Sequence, residues 1–150
     1  MMLVESGELS LNTPVYEYLP EYQSISVLKN VDLTKRIYST EPPSRPITIS
    51  DLLTNTSGLG YNFSNDVLFT FEEPGDSVSF PLLHQPGQKW TYSLATKLLG
   101  DIIAAIKGQS LEAALKSLIL NPLGMDNTSY NIRGNQVFTH AKDEDNWQPL

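Results

Sequence analysis

The sequence has 150 residues and a formal net charge of −7, the size of one domain or a part of one. That charge excludes nucleic acid and an anionic membrane as main partners, since both need clustered Lys and Arg, and residues 46–88 contain neither. Zero cysteines exclude disulfides, thiolate metal sites and a Cys nucleophile, and no apolar run approaches the ~20 residues of a membrane span.

Residues 1–6 read as the last turns of a helix ended by Gly7, which takes the left-handed conformation at little cost. So short a helix does not nucleate alone, so it either packs at once or continues a longer one. Pro14 can open a short turn that ends at Pro20. Residues 21–46 are expected to be irregular, with Glu41-Pro42-Pro43-Ser44-Arg45-Pro46 extended by proline geometry. Thr48 and Asp51 have capping-box spacing for a helix that Gly58 is expected to end. Residues 59–91 show no sustained period and carry Tyr61, Phe63, Phe69, Phe71, Phe80 and Trp90. An ordered loop of that length is usually functional.

The strongest helix is 93–107, where Leu98, Leu99, Ile102, Ile103 and Ile106 form one apolar stripe. Gly108 stops it. Ser110 can cap a second helix with Leu111, Ala114, Leu115, Leu118 and Ile119 on one face, broken at Asn121-Pro122. The tail 125–150 reads as loop with short strands near Val137–Ala141.

Most chemical constellations fail on inspection. His84 and His140 are the only histidines and lack ligand-spaced partners, while Asp143, Glu144 and Asp145 read as a solvated acidic loop rather than an EF-hand. Neither a metal nor a cofactor is expected. Ser57 would need Gly at position 55 for a nucleophile elbow, and Asn is there. Gly58-Leu59-Gly60 lacks the rest of a phosphate loop. The start carries no secretory signal, which leaves the compartment open with the cytoplasm as default. Tyr92, before the best helix in Pro86-Gly87-Gln88-Lys89-Trp90-Thr91-Tyr92-Ser93-Leu94, would be a packing residue if taken alone.

Four segments together change that reading. They are Leu3-Val4-Glu5-Ser6-Gly7-Glu8-Leu9-Ser10-Leu11, Ile47 through Leu59, Pro86 through Ser93, and Asn121-Pro122-Leu123-Gly124-Met125. In this order and spacing the chain resembles the serine β-lactamase and penicillin-binding superfamily, with class C β-lactamases and family VIII carboxylesterases as the nearest branch. The resemblance runs from Leu3 to about Tyr130. That family uses a Ser-x-x-Lys nucleophile motif, a Tyr-x-Asn motif and a Lys/His-x-Gly strand. The resemblance implies that the first serine would fall roughly ten residues before Met1 and the third motif beyond Leu150. The chain is thus expected to lack both, and Met1 to be an internal methionine or a misplaced start.

The expected fold is mainly α with long loops, an incomplete helical lobe of the α+β serine β-lactamase fold, with residues 1–150 a central fragment of one domain. The expected chemistry is acyl-enzyme ester hydrolysis, carboxylesterase-like, on a small ester or amide substrate. Tyr92 corresponds to the catalytic tyrosine. Leu94 stands where the lactamases have a hydrogen-bonding asparagine, which favours esters over amides. Leu94, Tyr61 and Trp90 are the expected pocket residues. The chain itself is expected to be inactive. The alternatives are a β-lactamase or D-alanyl peptidase fragment, and a non-catalytic binding remnant.

Overall fold

A computed structural model describes residues 1–71 and 80–130 in full and the backbone of 140–143 and 146–149. The chain divides into two compact units, Met1–Leu111 and Glu112–Leu150.

The first unit opens with α1 (Met2–Glu5), followed by Gly7 at φ 77°. Two 3₁₀ turns follow, Val15–Glu17 and Pro20–Ser24. Next comes an antiparallel hairpin, β1 (Val27–Asp32) and β2 (Ile37–Glu41). This corrects the expectation of an irregular 21–46. Lys29 is the extra residue of a bulge between Leu28 and Asn30, which breaks the two-residue period that would have marked a strand. The hairpin turns on Arg36 at φ 52° instead of a glycine. Its guanidinium donates to the Thr70 carbonyl at 2.6 Å, and Tyr38 lies edge-on to Phe71 at 5.2 Å.

Helix α2 (Ile49–Leu53) starts on the predicted capping box. The Thr48 hydroxyl accepts from the Asp51 N–H, and the Asp51 carboxylate accepts from the Thr48 N–H at 2.9 Å. Gly58 does not end this helix, as had been expected. Asn55, at φ 55°, takes the left-handed position just after the C-cap Thr54. Within 59–91 lie a 3₁₀ turn at Asn62–Ser64 and α3 (Asp66–Phe71). The Asn65 carboxamide oxygen accepts the N–H groups of Val67 and Leu68 and so starts α3.

Helix α4 (Ala95–Lys107) ends at Gly108, whose φ of 61° any larger side chain would resist. It packs on α2, with Ile49 and Leu52 facing Leu98 and Ile102 in a buried cluster with Val15, Val27 and Leu82. Backbone ties lace this core. Val15 donates to Ile47, Leu28 donates to Leu82, and Leu82 donates to Ser26. In the second unit, α5 (Leu111–Leu115, its first residue in the first unit) runs into a π turn at Lys116–Leu120, before Asn121-Pro122. A hairpin joins β3 (His140–Asp143) to β4 (Asn146–Pro149). Of the strands expected near Val137–Ala141, residues 137–139 lie outside the described residues. No helix among the described residues is long and apolar enough to cross a membrane.

Tyr22 is the one buried polar side chain without a hydrogen-bond partner among the described residues. Burial, then the charges of Glu21 and Asp101, push its phenol up to about 12. An orphaned buried hydroxyl costs about 1–3 kcal/mol. Tyr22→Phe is therefore expected to raise the unfolding free energy by about 1 kcal/mol in denaturant titration. A loss of stability would show that the hydroxyl is bonded in solution.

Candidate active site

The site is built from a carboxylate upward. Asp51 is only 4% exposed. Arg45 clasps it with both terminal nitrogens, at 2.6 and 2.8 Å, and the Thr48 hydroxyl donates at 2.8 Å. The Thr56 hydroxyl adds a longer bond at 3.3 Å. Burial alone would raise the carboxyl's pKa, but the bonds from Arg45 and Thr48 outweigh it and hold it below its usual range. Asp51 thus fixes both the start of α2 and the turn that leaves it.

That turn carries Asn55, which reaches the 90s segment twice. Its carbonyl accepts from the Thr91 N–H at 2.8 Å, and its side-chain oxygen accepts from the Ser93 hydroxyl at 3.3 Å. Ser93 in turn accepts the Ala95 N–H at the start of α4. Residues 56–58 and 83–87 are zipped together, with Leu83 donating to Gly58 and Gly87 donating to Thr56. Gly58 sits at φ 89°, and a Cβ there would collide with the His84 carbonyl. The His84 ring bonds the Gln85 carbonyl through Nδ1 at 3.0 Å and the Thr91 hydroxyl through Nε2 at 2.9 Å.

Tyr92 stands between these two anchored neighbours and is 54% exposed. Its ring lies 5.4 Å from that of Tyr61, which stacks on Phe63 at 4.9 Å. Trp90 is 62% exposed. Residues 92–94 precede α4, so Tyr92 and Leu94 are not bound to helical spacing. Their side chains diverge all the same. Leu94 is 7% exposed and joins the core, against Leu59, Leu68, Phe80 and Leu83. The structure therefore brings Tyr61 and Tyr92 together, leaves Trp90 at the surface and turns Leu94 inward.

A β-lactamase family model matches residues 1–149. The chain belongs to the β-lactamase family. Esterase EstB of Burkholderia gladioli is 34% identical over 142 residues, covering 83% of this chain and 33% of its own. An uncharacterized protein of Mycobacterium tuberculosis is 35% identical over 144 residues, covering 88% of this chain and 35% of its own. Among solved structures, simvastatin synthase from Aspergillus terreus matches with a TM-score of 0.72 at 28% identity, over 82% of this chain and 33% of that one. The hydrolase EstCE1 shares the fold, with a TM-score of 0.77 at 22% identity over 99% of this chain and 40% of that one. The chain spans about a third of the length of the curated relatives it matches.

In this family a serine and a lysine must share one helical turn. The spelling Ser26-Val27-Leu28-Lys29 does occur, which corrects the expectation that the chain has no Ser-x-x-Lys. It lies on extended chain entering β1, where three residues span about 10 Å rather than one turn. Lys29 is the bulge residue and pairs with Glu41 at 3.5 Å. Ser57 is buried, and its Oγ accepts the Leu59 N–H, so it shapes a turn. Lys97 bonds Asp101 along α4. Sequence reasoning missed Asn55 and His84 as supports of Tyr92, although an asparagine just beyond a helix end is a signal for the left-handed conformation.

Asp51→Ala removes the carboxylate half of the capping box and unpairs Arg45, and it is expected to lower stability by about 2 kcal/mol at pH 7. A carboxylate whose folded pKa is depressed stabilises above its unfolded value, near 4, and that gain fades as pH falls through the folded one. The wild-type advantage over Asp51→Ala should therefore shrink below about pH 4 in urea titrations. A gap independent of pH would show that the carboxylate charge is immaterial.

Proposed function

We propose that these residues are the central part of a serine hydrolase that cleaves carboxylic esters through an acyl-enzyme, with Tyr92 as general base. The serine and its lysine belong to the Ser-x-x-Lys helix of the complete enzyme. Tyr92 accepts the proton of the serine hydroxyl as Oγ attacks the ester carbonyl carbon. The tetrahedral adduct expels the alcohol, which takes its proton from Tyr92. Water then attacks the serine ester by the same route, and the acid is released. An ordinary phenol titrates near pKa 10, so neighbouring lysine ammoniums have to favour its phenolate.

The observation that carries this reading is the placement of Tyr92. Its ring is open to solvent while both flanking residues are bonded to Asn55. Tyr61 offers apolar surface beside it for the acyl or alcohol group, and Trp90 is exposed two residues earlier in the chain. Leu94 supplies no donor for a substrate amide, which supports esters over β-lactams. The relatives, which include esterase EstB, a lovastatin esterase and an acyltransferase, support the same reading.

In a full-length enzyme containing these residues, Tyr92→Phe is expected to lower kcat on p-nitrophenyl butyrate about 10²–10⁴-fold. The 150-residue chain alone should show no Tyr92-dependent turnover. A Tyr92→Phe enzyme at full rate would remove the tyrosine from the mechanism. Equal efficiency of the wild type on a chromogenic cephalosporin would move the reading to a β-lactamase.

A further inference from the structure

We propose that His84 is a positioning residue for Tyr92, acting through the Thr91 hydroxyl; its catalytic consequence rests on the reading of Tyr92 as the base. Tyr92 has to be held close to productive geometry, because a misplacement of about 1 Å can cost 10²-fold in rate. Among the described residues, the one ring that packs on its exposed ring is that of Tyr61. Its placement is set by the residues on either side.

Ser93 and the Thr91 N–H are tied to Asn55, which fixes the backbone. Among the described residues the Thr91 side chain is tied only to His84, at 2.9 Å. The histidine is well seated to do this. Its carbonyl rests against Gly58, where any Cβ would collide, and the neighbouring Leu83 N–H is bonded to the Gly58 carbonyl. The Gln85 carbonyl can only accept, so Nδ1 carries a proton, and Nε2 is bonded to the Thr91 hydroxyl. The Gln85–Gln88 turn, closed by the Gln88 N–H on the Gln85 carbonyl, carries the chain back so that His84 faces Thr91. One ring thus bridges the two limbs of the Pro86-Gly87 turn one residue from Tyr92. Neither the catalytic motif nor the core requires this bond, and an apolar side chain at 84 would leave the Thr91 hydroxyl without a partner.

The test uses pairs of variants that separate the two ring bonds. A glutamine at 84 reaches as far as Nε2, whereas an asparagine reaches only as far as Nδ1. The 150-residue chain is labelled with 3-fluorotyrosine at its seven tyrosines, and the Tyr92 ¹⁹F resonance is assigned by its loss in Tyr92→Phe. Buried Tyr22 serves as the internal mark of an intact fold. In His84→Asn and Thr91→Val the Tyr92 resonance is expected to collapse toward the free amino-acid position while Tyr22 stays put. In His84→Gln and Thr91→Ser it should remain at the wild-type position.

An unmoved Tyr92 resonance in His84→Asn and Thr91→Val overturns the proposal. So does the joint loss of the Tyr22 signal, which would make the bond a general support of the fold. In a full-length enzyme the same two variants are expected to lower kcat about 10-fold at unchanged KM, with the double variant no worse than either single. If Tyr92→Phe leaves kcat intact, the assignment of the base fails, and the fluorine shifts still decide the placement.

Discussion

The carboxylate of Asp51 is the constraint on which the rest depends. A buried charge is tolerable only when it is paired and its lone pairs are filled. Arg45 and the N–H and hydroxyl of Thr48 do both within one short stretch of chain. The consequence is geometric as much as energetic. Helix α2 starts where this cluster sits, so it also ends at a fixed place, and Asn55 leaves its end in a left-handed conformation aimed at residues 91–93. A defect at Asp51 would therefore reach the candidate base through five residues of chain and two hydrogen bonds.

Two opposing demands then meet at Tyr92. On the proposed reading of Tyr92 as a base its ring has to be accessible, whereas accuracy of placement needs order. The fold separates these demands. Order resides in the backbone and in Thr91 and Ser93, and accessibility resides in the ring. Leu94 illustrates the other side of the arrangement. It buries its side chain beside Leu59, Leu68, Phe80 and Leu83, just before the start of α4. The exposed rings of Phe63 and Tyr92 both pack against Tyr61.

Much of the frame was legible in the sequence where the causes are local. Thr48 and Asp51 are three residues apart, and the α4 stripe repeats at helical period up to a glycine that stops it. The β1–β2 hairpin was not legible. Its strands are largely exposed, a bulge at Lys29 spoils the alternation, and its turn uses arginine where glycine would have signalled one. The site divides in the same way. Tyr92 emerged from four ordered segments that resemble the family, because one tyrosine before a helix has no chemical signature. Asn55 and His84 were missed because their bonds to the 90s segment are contacts of the folded state. The Ser-x-x-Lys spelling at Ser26 shows the converse, since a motif carries chemistry only on the element that brings its residues together.

The central claim is the proposal that Tyr92 takes the hydroxyl proton of the serine as that serine attacks the ester. The most direct measurement is a crystal structure of a full-length enzyme containing this chain, inactivated by a p-nitrophenyl phosphonate ester. The account predicts the Tyr92 Oη within about 3 Å of the phosphonylated serine Oγ, with Trp90 and Tyr61 beside the ester group. A phosphonylated serine with another residue at that distance and Tyr92 turned to solvent would contradict it.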